Sequence, residues 1–387
     1  MSNGQPPIII FIIPNLGNQG IQIIWLIKIK EYQKLGYKTY IHGGNYINEI
    51  KTIGDVYSYD NKHHGAFSKP KINKSKISYL LYAIRQNILS LGENKEISKI
   101  SPDIIYSFSS VLDFIIVPFV YKLTNKKVVW CTVFDNTVPI FGRGNTLIRL
   151  LAWLFFQISI PLLSQADCIF TVTTYLKRYL IRRGLSEKHI AVTGNGVESE
   201  LIKKIKKGNK YRSDGLFMGR LNESKGIFDL LKVLEIVKRD HPKFTLSIMG
   251  SGDKKTEEAF KEQIIQTGLE NNIKFLGYQS GVEKYSYLGN TKSFWFLSYD
   301  ESFGVALLEA VALGRQCFTY SLPIFKQLYT DKQVSMHKTG DIQSVASAVI
   351  KLFRDNKFTN TEGKKMAKKH DWNLIVEKES RLISNFT

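Results

Sequence analysis

The sequence predicts an α/β protein with two parallel sheets, each in its own Rossmann-like domain, facing each other across a cleft. Three observations predict this. Short apolar runs rich in β-branched residues recur along the chain from 8–13 onward, as strands buried on both faces require. Each run ends in a turn carrying Gly, Asn or Asp and is followed by a helical pattern, the rhythm of βαβ units. The rhythm breaks at Gly194-Asn195-Gly196 and then starts again.

At 387 residues the chain has room for two ordinary domains with separate cores. The expected division is 1–195, 196–369 and a terminal helix at 370–387. In the first domain, the run 8–13 ends at Pro14 and the loop 15–20. A helix over 21–35, stopped by Gly36, and a strand at 38–41 follow. Gly17 and Gly20 do not form G-x-G-x-x-G, so the loop is either a place for backbone to approach a phosphate or a plain turn. Strands follow at 104–108 and 127–132, the second running into Val133-Phe134-Asp135-Asn136, a polar turn suited to acceptor or catalytic contacts, with Asp135 the catalytic candidate. An apolar helix at 147–163, a strand at 168–172, a basic helix at 174–183 and a strand at 190–193 complete the domain. In the second domain, strands at 215–218, 244–249, 273–276, 293–297 and 316–320 alternate with helices, and their turns read Gly219-Arg220, Gly250-Ser251-Gly252 and Gly277-Tyr278.

Net charge is +20, and residues 1–197 carry 23 Lys and Arg against 11 Asp and Glu. Such a field favours anionic partners: phosphorylated metabolites, an anionic membrane surface or nucleic acid. No basic-aromatic recognition motif supports nucleic acid. A basic segment at 62–99 leads through Lys69, Lys71, Lys74 and Lys76 into an amphipathic stretch at 77–91, either a membrane-surface element or a solvated loop before a core helix. Between Arg149 and Asp167 there is no charge, but Gln157, Ser159 and Pro161 interrupt the run, which favours a buried or interfacial helix over a spanning one. The N-terminus has no basic n-region and only a six-residue apolar run, so no signal peptide is expected. Three cysteines, odd in number and far apart in sequence, suit neither a disulfide framework nor a zinc site, and a reducing cytoplasm follows.

The chemistry concentrates in 298–314, SYDESFGVALLEAVALG. Glu301 and Glu309 flank Phe303-Gly304 where a strand gives way to a helix, the geometry that aims backbone N–H groups at an anion. Two readings stand: the carboxylates line one pocket, or Ser298 and Glu301 make an S-x-x-E capping box. Arg220 and Lys225, on the turn after 215–218, supply two cations near a helix start. Together they can hold a diphosphate without a metal.

These residues carry a resemblance. Gly219-Arg220-Leu221 with Lys225-Gly226, Gly250-Ser251-Gly252, Phe275-Leu276-Gly277, and Glu301-Ser302-Phe303-Gly304 with Glu309-Ala310 are similar to the motifs of the retaining glycosyltransferases of family 4. Asn195-Gly196-Val197 and Trp372 also fit. The resemblance is specific in the C-terminal half and loose over the first 190 residues. It implies a GT-B fold with an N-terminal acceptor domain, a C-terminal nucleotide-sugar domain and a final helix crossing back to the first. It also implies that Arg220 and Lys225 neutralise the diphosphate, Glu309 holds the ribose and Glu301 the donor sugar. Ser302, Phe303, Gly304, Gly219 and Gly252 would then lie along the donor, with Tyr278 near the base. No Asp-x-Asp occurs, so no metal is expected. Two positions depart from the family: Ser302 stands where Gly is common, and Phe134 where many members have a His before Asp135.

The function this implies is metal-independent, retaining transfer of a sugar from a nucleoside diphosphate to a hydroxyl acceptor. A lipid-linked or glycan acceptor at the inner membrane face, as in polysaccharide or lipopolysaccharide assembly, fits the charge. The competing reading is a catalytically silent sugar-nucleotide-binding scaffold, for which Phe134 and Ser302 speak.

Overall fold

The structure, a computed structural model, describes residues 6–13, 19–42, 57–59, 94–138 and 146–386. Two units result. One comprises Met1–Gly194 with Trp372–Thr387, the other Asn195–Asp371.

The first unit is built on a parallel sheet. Its strands are β1 (Ile8–Ile12), β2 (Lys38–His42), β3 (Tyr57–Tyr59), β4 (Ile104–Ser107), β5 (Val129–Phe134), β6 (Cys168–Thr171) and β7 (Ile190–Val192), ordered β3-β2-β1-β4-β5-β6-β7. Strands β4, β5 and β6 are buried along their whole length, which is why their sequences run apolar without alternation. A helix at Leu112–Thr124 has no counterpart in the sequence reading, because Pro118 inside it interrupts the helical pattern. Cys131 and Cys168, distant in sequence, are register partners across β5 and β6, and both are buried free thiols. The basic segment 62–91 lies outside the described residues.

The C-terminal helix, Trp372–Ile383, is part of this first unit. Its Glu379 is fully buried and is met by Lys28 Nζ at 2.7 Å, Tyr106 Oη at 2.8 Å, Tyr32 Oη at 3.1 Å and Thr193 Oγ1 at 3.2 Å. Lys28, on the helix Gln19–Lys34, also donates to Tyr106 Oη at 2.8 Å. Burial, reinforced by the charge of Glu379, raises both phenols well above their ordinary range, so they remain protonated donors. A buried carboxylate is tolerated only with such a set of partners.

The second unit repeats the architecture with β8 (Ser213–Met218), β9 (Leu246–Met249), β10 (Ile273–Gly277), β11 (Thr291–Phe296), β12 (Gln316–Tyr320) and β13 (Ser335–His337). The order is β10-β9-β8-β11-β12-β13, again all parallel. The helices Ile227–Asp240 and Ile342–Asp355 cover one core with Leu230, Leu234, Val345 and Val349. The chain enters and leaves this unit at one place, where Val197 N donates to His370 O at 2.7 Å. In both sheets strand order reverses in the middle, between β1 and β4 and between β8 and β11. Open α/β sheets bind ligands beyond the carboxyl ends of strands at such a switch point.

Candidate donor site at the switch point of the second sheet

Strand β8 leaves the sheet into Gly219-Arg220 and β11 into Leu297–Glu301, so the switch point falls between the two stretches that carry the candidate charges. Local hydrogen bonds fix how they meet. Asn222 Oδ1 accepts from Lys225 N at 3.0 Å and closes a tight turn over Glu223–Lys225. The carbonyl of Ser224 on that turn accepts from Tyr299 N at 2.8 Å and Ser298 Oγ at 3.2 Å. A Cβ at Gly226 would lie 2.0 Å from Leu297 O, so only glycine lets the two backbones touch. Asp229 completes the fastening: its Oδ2 accepts from Tyr299 Oη and Tyr320 Oη, each at 2.5 Å.

With both loops latched, Lys225 Nζ meets Glu301 Oε1 at 2.5 Å. The two side chains are 22% and 10% exposed, so the pair is open enough for a ligand and shielded enough for its charges to count. The Arg220 guanidinium is exposed on the neighbouring turn and bonds to no other described residue. The capping-box reading does not hold. The helix Val305–Ala312 begins after Gly304, which is left-handed at φ 81°, and Ser298 Oγ donates to Ser224 O and Asp300 O. Glu301 therefore sits three residues ahead of the cap and caps nothing.

Glu309 is buried in the same helix, where Lys284 Nζ donates to its Oε1 at 2.6 Å and Tyr285 Oη at 2.9 Å. Both donors take one oxygen, which leaves Oε2 without a donor among the described residues. Lys284 and Tyr285 escaped the sequence reading. They lie on the helix Gly281–Asn290, whose Gly281, Gly289 and Asn290 obscure its pattern, although a Lys-Tyr pair just after the Gly277-Tyr278 turn was the available signal.

The glycine turns have a structural origin as well. A Cβ at Gly250 would stand 1.9 Å from Gly219 O, and one at Gly252 2.3 Å from Leu221 O. Backbone bonds from Gly219 N to Met249 O and from Leu221 N to Ser251 O bind the turns after β8 and β9 together. Gly252 thus serves backbone packing directly. Phe303 is buried against the His370 ring, Ser302 is half-buried and Tyr278 is exposed beyond β10.

The remaining candidates belong to the first unit. Gly20 lies in the first turn of Gln19–Lys34, and Gly17 lies outside the described residues. Asp135 follows β5, half-buried. Loss of hydration pushes its carboxyl up to about 6, against the pull of its own backbone amide and Lys28. Phe134 turns inward, its ring 6.0 Å from those of Phe156 and Tyr179. Because the folded state holds the Asp135 proton more tightly than an unfolded chain titrating near 4, stability falls as pH rises from about 4 to about 6 and is flat above. Asp135→Asn is therefore expected to stabilise the first unit by roughly 1–2 kcal/mol above pH 7, discounted for partial exposure, and not at all below pH 4. Thermal unfolding of both proteins across that range checks it.

Residues 198–370, nearly the whole second unit, match the family described as Glycosyl transferases group 1. The similarity to that family thus lies in the second unit. Phosphatidyl-myo-inositol mannosyltransferase of Mycobacterium leprae is 28% identical over 173 residues, which are 43% of this chain and 45% of that one. The chain thus spans a little under half the length of that curated relative. Among solved structures, a glycosyltransferase from Rickettsia africae ESF-5 superposes with a TM-score of 0.75 at 16% identity, covering 98% of both chains. Anabaena Alr3699/HepE in complex with UDP-glucose gives 0.73 at 15% identity, covering 98% of this chain and 99% of that one. The fold is GT-B, and the group 1 domain is its second Rossmann-like unit.

Proposed function

We propose that the protein is a retaining, metal-independent glycosyltransferase that moves a sugar from a nucleoside diphosphate to a hydroxyl acceptor in cell-envelope polysaccharide or lipopolysaccharide assembly. The observation that carries this reading is the Lys225–Glu301 pair at the switch point of a group 1 domain, beside the exposed Arg220. In the proposed division of labour, Arg220 and Lys225 stabilise charge developing on the leaving diphosphate. Glu301 accepts hydroxyls of the donor sugar. Glu309, held on one oxygen by Lys284 and Tyr285, presents the other to the ribose. Gly277-Tyr278 borders the base. No carboxylate here is assigned as a proton-transfer base.

Similar proteins support the substrate classes: Anabaena Alr3699/HepE is seen in complex with UDP-glucose, and the Mycobacterium leprae relative is a phosphatidyl-myo-inositol mannosyltransferase. Incubation with a panel of nucleotide sugars and hydroxyl acceptors, read by proton NMR of the anomeric centre, tests the reaction. The expected result is a product with the donor's anomeric configuration, formed equally well with a chelator present. Inverted product or chelator-sensitive transfer contradicts the mechanism. Nucleotide binding with no transfer to any acceptor favours the silent-scaffold reading.

A further inference from the structure

The helix Thr146–Leu162 bears no charge from 150 to its end, and its described side chains from there on include both buried and exposed ones. Phe156, Ser159 and Ile160 are buried, while Leu150, Leu154 and Ile158 are 38%, 41% and 50% exposed. Spacings of four place these three on one stripe. A helix that is apolar all round belongs in a core or at a membrane, so an outward apolar stripe calls for a cover.

The helix Thr174–Arg182 runs beside it. Its Tyr179 ring lies 6.3 Å from Phe156, and Arg183 at its end donates to Gln157 Oε1. On this neighbouring helix Tyr175, Arg178 and Arg182, at spacings of three and four, share one side, where all three are exposed. The acidic residue just beyond, Glu187, is paired with Lys177. An uncharged apolar stripe and a row of arginines thus stand on two helices in contact.

We propose that this face docks on an anionic bilayer. Leu150, Leu154 and Ile158 enter the headgroup–acyl boundary, Tyr175 sits at headgroup level, and Arg178, Arg182 and Arg183 meet lipid phosphates. Charge complementarity selects this occupant. A second copy of a chain at +20 is repelled, whereas an anionic leaflet attracts it. The helix lies along the surface rather than across it, since no described helix is long and apolar enough to span a membrane. The proposal deepens the functional reading by locating where a lipid-linked acceptor is met. Its test does not depend on turnover.

The full chain is floated with phosphatidylcholine vesicles, with and without phosphatidylglycerol. Binding is expected only with phosphatidylglycerol and is expected to weaken with salt. Arg178→Gln with Arg182→Gln should lower the partition by about five-fold per cation. Leu154→Ser with Ile158→Ser should lower it about ten-fold or more without moving the thermal midpoint, because both residues are exposed. If that double variant folds poorly, Leu150→Ser alone carries the test. Failure to float, equal binding to neutral vesicles, or variants that partition like the parent overturn the proposal. So does a concentration-dependent dimer abolished by the serine variants, which would assign the face to a second copy. Nucleotide binding by the second unit, measured on the same samples, keeps a failure here distinct from a failure of the donor-site reading.

Discussion

Lys225→Ala and Glu301→Ala are each expected to lower kcat for sugar transfer by about 10²–10³-fold, the usual loss when one preorganised electrostatic partner of a transition state is removed. Arg220→Ala should fall in the same range. Lys225 and Glu301 touch, so the double variant should lose less than the product of the single losses. Both side chains are partly open to solvent, and the loop is held separately by Asn222, Tyr299 and Asp229. The fold should therefore survive, with stability changing by no more than about 1–3 kcal/mol. Initial rates with a saturating donor, together with thermal unfolding, separate the two effects. Undiminished transfer in all three single variants would remove the site assignment.

Lys28→Met is expected to destabilise the first unit by about 3–5 kcal/mol, because it leaves Glu379 in a fully buried position without its cation. For a unit of this size that lowers its unfolding transition by roughly 6–20 °C. Adding Glu379→Leu should recover much of the loss, since an apolar pair of similar volume removes the stranded charge. The C-terminal helix would then be held by packing of Ile375, Val376 and Ile383 and by the Tyr37–Ser380 hydroxyl contact at 2.7 Å. Calorimetry of the three variants checks the order. A loss below about 1 kcal/mol in the single variant would show that the buried pair does not anchor the helix.

The two predictions also mark what sequence can carry. The strands of both sheets are legible because burial on two faces forces continuous apolar runs, and β4, β5, β8 and β11 fall where those runs do. Arg220, Lys225 and Glu301 are legible as candidates because they stand on the turns that follow β8 and β11 at the switch point, and Glu309 because it lies in the helix that comes next. Contacts between residues distant in the chain are not. Glu379 meets Lys28 across 351 positions, and no local pattern announces a buried carboxylate inside an amphipathic terminal helix. Asp229, Tyr299 and Tyr320 form the latch behind the site, but each reads singly as an ordinary helix, loop or strand residue. The S-x-x-E spacing at Ser298 fits a local rule that the fold does not use, because left-handed Gly304 moves the helix start. The exposed stripe on Thr146–Leu162 is the converse: composition shows an apolar helix, and only burial shows which side is bare.

In the proposed function, the switch point of the second sheet binds a nucleoside diphosphate by its two ends. Titration calorimetry of the parent protein and of Glu309→Ala and Lys225→Ala with UDP, GDP and ADP tests it directly. One of these nucleotides is expected to bind the parent, each variant to weaken that binding by about 10–100-fold as a charged hydrogen bond is lost, and the heat with the matching 2′,3′-dideoxynucleotide to be insensitive to Glu309. Absence of binding by all three nucleotides, or equal affinity in the parent and both variants, would contradict it.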